Sequence, residues 1–415
     1  MEKIYDFKKT EEKWNKKWAD ENTFHSEPDN RECYSIVIPP PNVTDILHLG
    51  HAFNNTIQDI LIRYHRNRGY NSEWLPGTDH AGIATQVVVE KLLKKEGKKK
   101  EDFGREGFEQ EVWKWAKDRR FTILNQLKGI GASCDWDRTK FTLDEDMSKT
   151  VAFVFKKLYD KKYIYKGNYI VNWCPRCHTA LSDEEVDYKE KNGKLYFIRY
   201  PLSDKSGFIT VATTRPETML GDTGIAVNPE DEGKKHLIGK KVILPLMNRE
   251  IVIIADEFVD REFGTGFVKV TPAHDPNDFA MGSKHNLEKK VIMDTRGYIN
   301  ENGGKYCGLE RYKAREEILK DLEELNLIEK IEDYKNSVGE CYRCKTTIEP
   351  YLSEQWFVDM TELAKPALEA SLNNTLKFHP QRWQGVYNHW LSNIKPWCIS
   401  RQLWWGHRIP VYYCD

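Results

Sequence analysis

Residues 34–82 read YSIVIPPPNVTDILHLGHAFNNTIQDILIRYHRNRGYNSEWLPGTDHAG. A short β-branched apolar run, YSIVI, breaks on three prolines, and a helical pattern then runs from about Gly50 to Arg68. Proline supplies no N–H to a ladder or a helix, so PPPNVTDIL is a loop. A second strand-like piece, NSEWLPG, and the loop GTDHAG lead into a helix beginning near Ile83. Strand, helix, strand, helix in that order predicts an α/β fold with a doubly wound parallel sheet.

The junction of loop and helix carries HLGH, His48 to His51. A helix amino terminus offers unpaired N–H groups and the positive end of the dipole, so two imidazoles there make a site for nucleotide phosphates. The tetrapeptide alone is a weak signal, since lone histidines are usually packed or solvated. Its setting after a strand and a proline-rich loop gives it weight.

Outward from this core, residues 105–165 are rich in Trp, Lys, Phe and Leu at helical spacing and read as helices outside the sheet. Near Leu195 the texture changes to short β-branched segments, FITVATT, KVILPL, REIVIIAD and GFVKVTP, separated by Gly, Pro and Asn. Aromatic-rich α/β texture returns in IEPYLSEQWFV and PWCISRQLWWGHRIPVYY. Two CxxC pairs, Cys174/Cys177 and Cys341/Cys344, flank the strand-rich module closely although 164 residues separate them (341 minus 177). A module spliced into a host fold has its incoming and outgoing strands side by side, and a metal held by both pairs would pin its base. Two such knuckles match a tetrahedral zinc site of four thiolates, structural because no ligand position stays open. The expected division is a first host half over 1–170, a knuckle and linker over 171–194, the strand-rich module over 195–335, and a second knuckle with the start of a second host half over 336–415.

A chain of 415 residues is too long for one ordinary core, so two or three domains are expected. Hydrophobic residues at 40% and charged residues at 31% exclude a disordered chain, and no apolar run has the length to span a bilayer. The amino terminus, MEKIYDFKKTEEKWNKKWADE, has charges every few residues and no apolar signal core, so it reads as an exposed helix of a cytoplasmic protein. A net charge of -1 provides no global field for nucleic acid, and any RNA contact must come from local patches. The basic run KKEGKKKED, Lys94 to Asp102, reads as a solvated helix end. Nine cysteines are an odd count for a disulfide framework; Cys33, Cys134, Cys307, Cys398 and Cys414 read as buried or incidental.

The segment PPPNVTDILHLGHAFNNTIQDILIRYHR resembles the ATP signature of class I aminoacyl-tRNA synthetases, in the form of their valine-specific branch, and the similarity continues through the whole chain. The resemblance implies a Rossmann-like catalytic domain with an inserted, strand-rich editing domain. It implies that His48 and His51 stabilise the pentavalent phosphorus as the carboxylate of L-valine attacks the α-phosphate of ATP, which arrives with Mg2+. Catalysis of that kind works by positioning and charge stabilisation. Pro41 and Asn42 would border the amino-acid pocket, and Asp79 would receive the substrate ammonium, which needs an anionic acceptor once buried. Without the resemblance, Asp79 reads as an ordinary turn or helix-capping aspartate. Asp45 departs from the pattern, where glycine is expected after Val-Thr; an aspartate there either repels triphosphate or points to solvent. The implied partners are ATP, L-valine and tRNA(Val), with structural Zn2+, no membrane, and a monomeric state.

The segments ATTRPETMLGDTGIAV (212–227) and FGTGFVKVTPAHDPNDF (263–279) present a threonine-rich edge, an arginine, a lysine and two aspartates three residues apart. HDPND has the look of a metal cluster, but Pro276 is expected to break the helical geometry that would aim Asp275 and Asp278 jointly, leaving a loop. The family resemblance implies instead a hydrolytic editing site, with Arg215, Thr218, Phe263, Lys269, Thr271, Asp275 and Asp278 around a threonyl group on the end of tRNA. A pocket shaped for valine refuses the isosteric threonine only about a hundredfold, a figure that comes from valine enzymes themselves, so a second pocket has to prefer the hydroxyl. Asp278 is assigned the α-ammonium and Asp275 the threonine hydroxyl, which valine lacks. No Ser or Cys nucleophile with a base is evident, so an ordered water would hydrolyse the ester, with Lys269 and Thr271 orienting it or the terminal ribose.

The family also uses a KMSKS-type loop, an anticodon-binding helical bundle and, in the valine branch, a terminal coiled coil. None occurs in this sequence, so inefficient charging of tRNA is expected. The alternatives are the isoleucine branch, whose loop and editing wording differ, a stand-alone editing hydrolase, and an inactive fragment that binds tRNA or ATP.

Overall fold

The structure, a computed structural model, describes residues 5–414. They fall into two compact units, one of residues 5–160 with 403–414 and one of residues 161–402. Among the described residues no helix is long and apolar enough to cross a membrane.

The first unit starts with α1 (Phe7–Asp20), which is capped by Asp6 and buries no residue. The expected amino-terminal helix was drawn from residue 1, and residues 1–4 lie outside the described ones. Strand β1 (Cys33–Val37) connects through α2 (Leu49–Asn67) to β2 (Asn71–Leu75), and β1 and β2 pair in parallel with Tyr34 opposite Ser72. After β3 (Gly77–Thr78) come α3 (Gly82–Lys95), α4 (Gly104–Gly129), β4 (Lys140–Phe141), which pairs in parallel with β3, and α5 (Glu145–Asp160). The parallel sense is the expected one, but the ladder is two short pairs and not a continuous sheet. Proline is the cause: Pro39 to Pro41 follow β1 and Pro76 separates β2 from β3, each withholding a ladder donor. A single parallel bridge, Asn42 to Asp79, carries the pairing across the gap.

Helix α4 buries Phe108, Val112, Ala116, Ile123 and Leu127, which share one face at helical spacing. They pack with Ile62, Trp74, Phe141 and Trp405, so the 403–414 segment closes this core. The basic run ends α3 at Gly97 (φ 75°) in exposed chain, as a solvated helix end should.

The second unit contains β5 (Ile164–Cys174), β6 (Thr179–Leu181), β7 (Val186–Pro201), β8 (Phe208–Thr213), β9 (Gly224–Val227), β10 (Lys241–Leu244), β11 (Arg249–Ala255), β12 (Phe267–Val270), α6 (Pro276–Lys284), α7 (Arg311–Glu324), β13 (Ile328–Cys341), β14 (Glu349–Val358), α8 (Thr361–Leu372), α9 (Trp383–Ser392) and β15 (Trp397–Cys398). Three sheets result, ordered β15-β14-β5-β6, β13-β7-β8 and β10-β11-β9-β12. Strand β8 alternates, burying Ile209, Val211 and Thr213, while β9 is buried at every position. Helix α7 lays Ala314, Ile318 and Leu322 on the core formed with Ile198, Val211, Leu220, Ile225, Val242 and Ile253. The long β7–β13 ladder runs from Ile198 opposite Ile328 to Val186 opposite Cys341. Strand β14 pairs with β5, placing Glu349 opposite Trp173, beside Cys174.

Pro276 does not break helical geometry, contrary to expectation. It occupies the first position of α6, where its missing N–H is an orphan anyway, and Asp275 caps the helix by accepting from the N–H groups of Asn277 and Asp278.

Candidate functional site

In the first unit His48 is the N-cap of α2. Its Nδ1 accepts from Gly50 N–H at 3.1 Å, and His51 Nδ1 accepts from His48 N–H at 3.2 Å. Both Nδ1 lone pairs are thereby spent on backbone, so the neutral rings, whose centroids are 3.9 Å apart, carry their protons on Nε2 as donors. Burial, and then the neighbouring His48, hold His51 below the usual histidine range. A Cβ at Gly50 would sit 2.9 Å from His48 Cε1, so a larger residue there makes that imidazole shift. Asp45 is exposed and its carboxylate accepts from Ile46 N–H at 2.8 Å, so it is held by its own turn.

Backbone pairing brings Pro41, Asn42 and Asp79 side by side: Asp79 N–H donates to Pro41 O at 2.8 Å, and Val43 N–H to Asp79 O at 2.9 Å. The half-buried Asp79 carboxylate accepts from Ala81 N–H at 3.2 Å and from the Thr142 hydroxyl at 3.0 Å. Thr142 in turn accepts from His80 N–H at 2.9 Å and faces its Nδ1 at 2.6 Å. Ala81 sits in the left-handed region at φ 44°, strain that the turn accepts to begin α3. Asp79 is therefore a turn former at the head of α3.

In the second unit six of the seven sequence-predicted residues join one network. Thr218 Oγ1 donates to Arg215 O at 3.0 Å, and Arg215 Nη1 donates to His274 O at 3.1 Å. Lys269 Nζ donates to Thr271 Oγ1 at 2.6 Å, and Thr271 N–H donates to Asp278 Oδ2 at 2.8 Å. Asp278 N–H reaches Asp275 Oδ1 at 3.2 Å. Phe263 stands apart from these bonds: the residue is 53% exposed, and its ring meets Tyr334 edge-on at 6.3 Å.

Sequence reasoning missed the centre of this network. Asp222 is fully buried; its Oδ1 accepts from Thr271 Oγ1 at 2.6 Å and from Lys269 Nζ at 3.4 Å, and its Oδ2 accepts from Tyr200 OH at 2.8 Å. Burial pushes the Asp222 carboxyl up against the pull of Lys269. The signal was a lone carboxylate inside the apolar run MLGDTGIAV. Asp278 is 7% exposed, and burial pushes it up to about 7 against Lys269, with Asp275 adding like charge. His274 is held down to about 3 by burial and then by the Arg215 and Lys269 cations, and its Nε2 accepts from Ile292 N–H at 3.0 Å. It is thus a neutral scaffold residue and not a general base.

The cysteines of both knuckles converge, with all four Sγ atoms within 4.8 Å of one another and Cys174 Sγ 3.5 Å from Cys344 Sγ. Zinc–thiolate bonds of about 2.3 Å set tetrahedral sulfurs about 3.8 Å apart, so the donor set fits. Hydrogen bonding from Cys174, then Cys177, drives the Cys344 thiol down, whereas Cys174, then Cys341, drives Cys177 up. A divalent cation would take all four as thiolates and so remove that conflict. Cys134 and Cys398 are buried, while Cys33, Cys307 and Cys414 are exposed. A second cluster, His25, Asp135 and Asp137, holds Arg138 Nε 3.5 Å from Asp135 Oδ2, a resident cation that disfavours a metal.

The chain belongs to the class I tRNA synthetases (I, L, M and V), whose family model matches residues 13–415. Within that family it is similar to valine–tRNA ligases. It is 59% identical over 412 residues to that of Carboxydothermus hydrogenoformans, covering 99% of this chain and 47% of the relative. It is 57% identical over 406 residues to that of Thermotoga maritima (98% and 47%) and 54% identical over 413 residues to that of Clostridium tetani (99% and 47%). These matches favour the valine branch over the isoleucine alternative. The chain spans about half the length of the curated relatives it matches. Among solved structures, a ternary complex of Agrobacterium radiobacter K84 agnB2 LeuRS with tRNA and LeuAMS aligns at TM-score 0.41 and 19% identity, over 83% of this chain and 49% of that one.

Proposed function

We propose that this chain carries the activating and proofreading sites of a cytoplasmic, monomeric valine–tRNA ligase. In activation the valine carboxylate attacks the α-phosphorus of ATP and diphosphate leaves; a tRNA(Val) terminal hydroxyl then attacks the valyl carbonyl and releases AMP. His48 and His51 donate from Nε2 to the phosphate oxygens as negative charge builds there. The Mg2+ belongs to the ATP substrate. Pro41 and Asn42 border valine, and Asp79 takes its ammonium.

The proofreading reaction is hydrolysis of threonyl-tRNA(Val): water adds to the ester carbonyl, the acyl–oxygen bond breaks, and threonine and tRNA leave. The observation that carries this half is Asp278, a carboxylate buried with incomplete countercharge. Such a group gains by accepting an ammonium. Asp275, whose Oδ1 is taken up by the α6 cap, offers Oδ2 to the threonine hydroxyl. Lys269 and Thr271 hold the water or the ribose, and Phe263 flanks the acceptor end from its exposed position. Cys174, Cys177, Cys341 and Cys344 would hold Zn2+, which supplies cross-linking of the strands and no chemistry.

The corresponding division is a catalytic half over 1–170, a knuckle and linker over 171–194, an editing domain over 195–335 and the second knuckle with further catalytic chain over 336–415. Two assays test the proposal. Threonyl-tRNA(Val) deacylation should occur and vanish in Asp278→Ala. Valine-dependent pyrophosphate exchange should fall in His48→Ala and in His51→Ala; exchange unchanged in both would remove the two histidines from the activating site.

A further inference from the structure

Arg215 is held from several sides within the proposed editing site, and one of its anchors, Glu349, comes from outside the two segments that form it. Its backbone N–H is tied to Thr213 Oγ1 at 3.0 Å, and its guanidinium is held in three directions. Nη1 donates to His274 O at 3.1 Å, Nε faces Glu217 Oε1 at 3.5 Å, and Nη2 donates to Glu349 Oε2. The carboxylates are held in turn. Glu217 is 1% exposed and receives Arg315 through two bonds of 2.7 and 2.8 Å. Glu349 side-chain exposure is 7%, and its Oε1 lies 3.0 Å from Arg311 Nη1, although that N–H is not aligned on it.

Glu217, Glu349 and Arg311 are all at least nine-tenths buried, whereas 27% of the Arg215 side chain remains exposed. Arg215 is thus a member of this charge network that reaches solvent. A guanidinium has five N–H donors in a planar fork; two are in hydrogen bonds to these partners, the one on Nε faces Glu217, and the remaining two are left for a ligand. Fixing such a fork in advance is what makes it useful to a reaction, because the ordering entropy is met on folding and not on binding.

We propose that Glu349 is a positioning residue that aims Arg215 at the ester-bearing end of the RNA substrate. The inference rests on the editing reading above. Glu349 is suited to the task by its place in the chain: it opens β14, five residues after Cys344 (349 minus 344), and lies opposite Trp173, the neighbour of Cys174. The strand that fixes the guanidinium is therefore the strand that leaves the cysteine cluster, and order in the cluster passes to the pocket through one side chain.

Removing Glu349 alone strands the buried Arg311 cation and leaves Arg215 with Glu217 only, so the test uses a charge-balanced background. Three forms of the 415-residue chain are compared: unaltered, Arg311→Gln, and Arg311→Gln with Glu349→Gln. Single-turnover deacylation of threonyl-tRNA(Val) is measured against chain concentration to separate the maximal rate from the half-saturating concentration, with thermal melting of each form alongside. Arg311→Gln should keep the maximal rate within about twofold. The double variant should melt near Arg311→Gln yet lose about 10- to 100-fold in maximal rate, the cost of a misplaced group. Glu349→Asp in the same background should recover part of that rate. Equal rates for the single and double variants would overturn the proposal, as would a loss tracking melting temperature alone. If the unaltered chain fails to deacylate threonyl-tRNA(Val), the editing reading itself is at fault, and this proposal falls with it.

Discussion

Replacing Asp278 with asparagine removes a charge and little else, because the amide oxygen can still accept from Thr271 N–H as the carboxylate does at 2.8 Å. The carboxyl titrates near 3.8 when free and near about 7 in the folded chain, where burial outweighs Lys269. Between those values the folded chain holds a proton that the unfolded chain releases, so stability falls as pH rises. The fall begins near pH 4 and is complete above about 7. At about 1.4 kcal/mol for each pH unit between the two values, the ionised form costs about 4 kcal/mol. Calorimetry of the 161–402 transition should therefore find Asp278→Asn melting higher than the unaltered chain at pH 8, by up to about 10 °C. The gap should shrink to under about half by pH 5 and vanish below pH 4. Threonyl-tRNA(Val) deacylation should be lost at every pH. An asparagine chain that is less stable at pH 8, or offset equally at all pH values, would refute the reasoning. A stability gain coupled to loss of reaction is the signature of a charge retained for binding.

Three further outcomes are expected. Gly50→Ala places a Cβ 2.9 Å from His48 Cε1 and should swing that imidazole off its cap, weakening ATP binding by about tenfold in calorimetric titration; unchanged affinity would count against the His48 assignment. Elemental analysis should find one zinc per chain, and Cys344→Ser should lower both zinc content and the melting temperature of the 161–402 unit, whereas a zinc-free chain of equal stability contradicts the four-thiolate site. Asp222→Asn takes the acceptor carboxylate from Lys269 and from the Thr271 and Tyr200 hydroxyls and should abolish deacylation; unchanged deacylation would remove Asp222 from the network.

What could be read from the sequence was local. The HLGH junction was readable because its chemistry closes within four residues, each histidine using backbone N–H groups of the same turn. The CxxC pairs were readable because only strand pairing had to bring them together, and β5, β13 and β14 do so. The prolines that interrupt the parallel ladder were visible, but their effect on sheet continuity was not drawn from them. Pro276 was misread because the same residue that breaks a helix interior is well suited to its first turn, and only the cap at Asp275 distinguishes the two. Asp222, Tyr200 and Glu349 escaped notice because their roles arise where separate strands meet. Tyr200 comes from β7, Lys269 from β12 and Glu349 from β14, and no spacing along the chain encodes that convergence.

The proposed editing reaction distinguishes threonine from valine by hydrolysis. The most direct measurement is side-by-side deacylation of threonyl-tRNA(Val) and valyl-tRNA(Val) by the purified chain. Rapid hydrolysis of the threonyl ester and near-background hydrolysis of the valyl ester are expected, because only threonine would satisfy the proposed acceptor at Asp275. Equal rates on the two esters, or no hydrolysis of either, would contradict it.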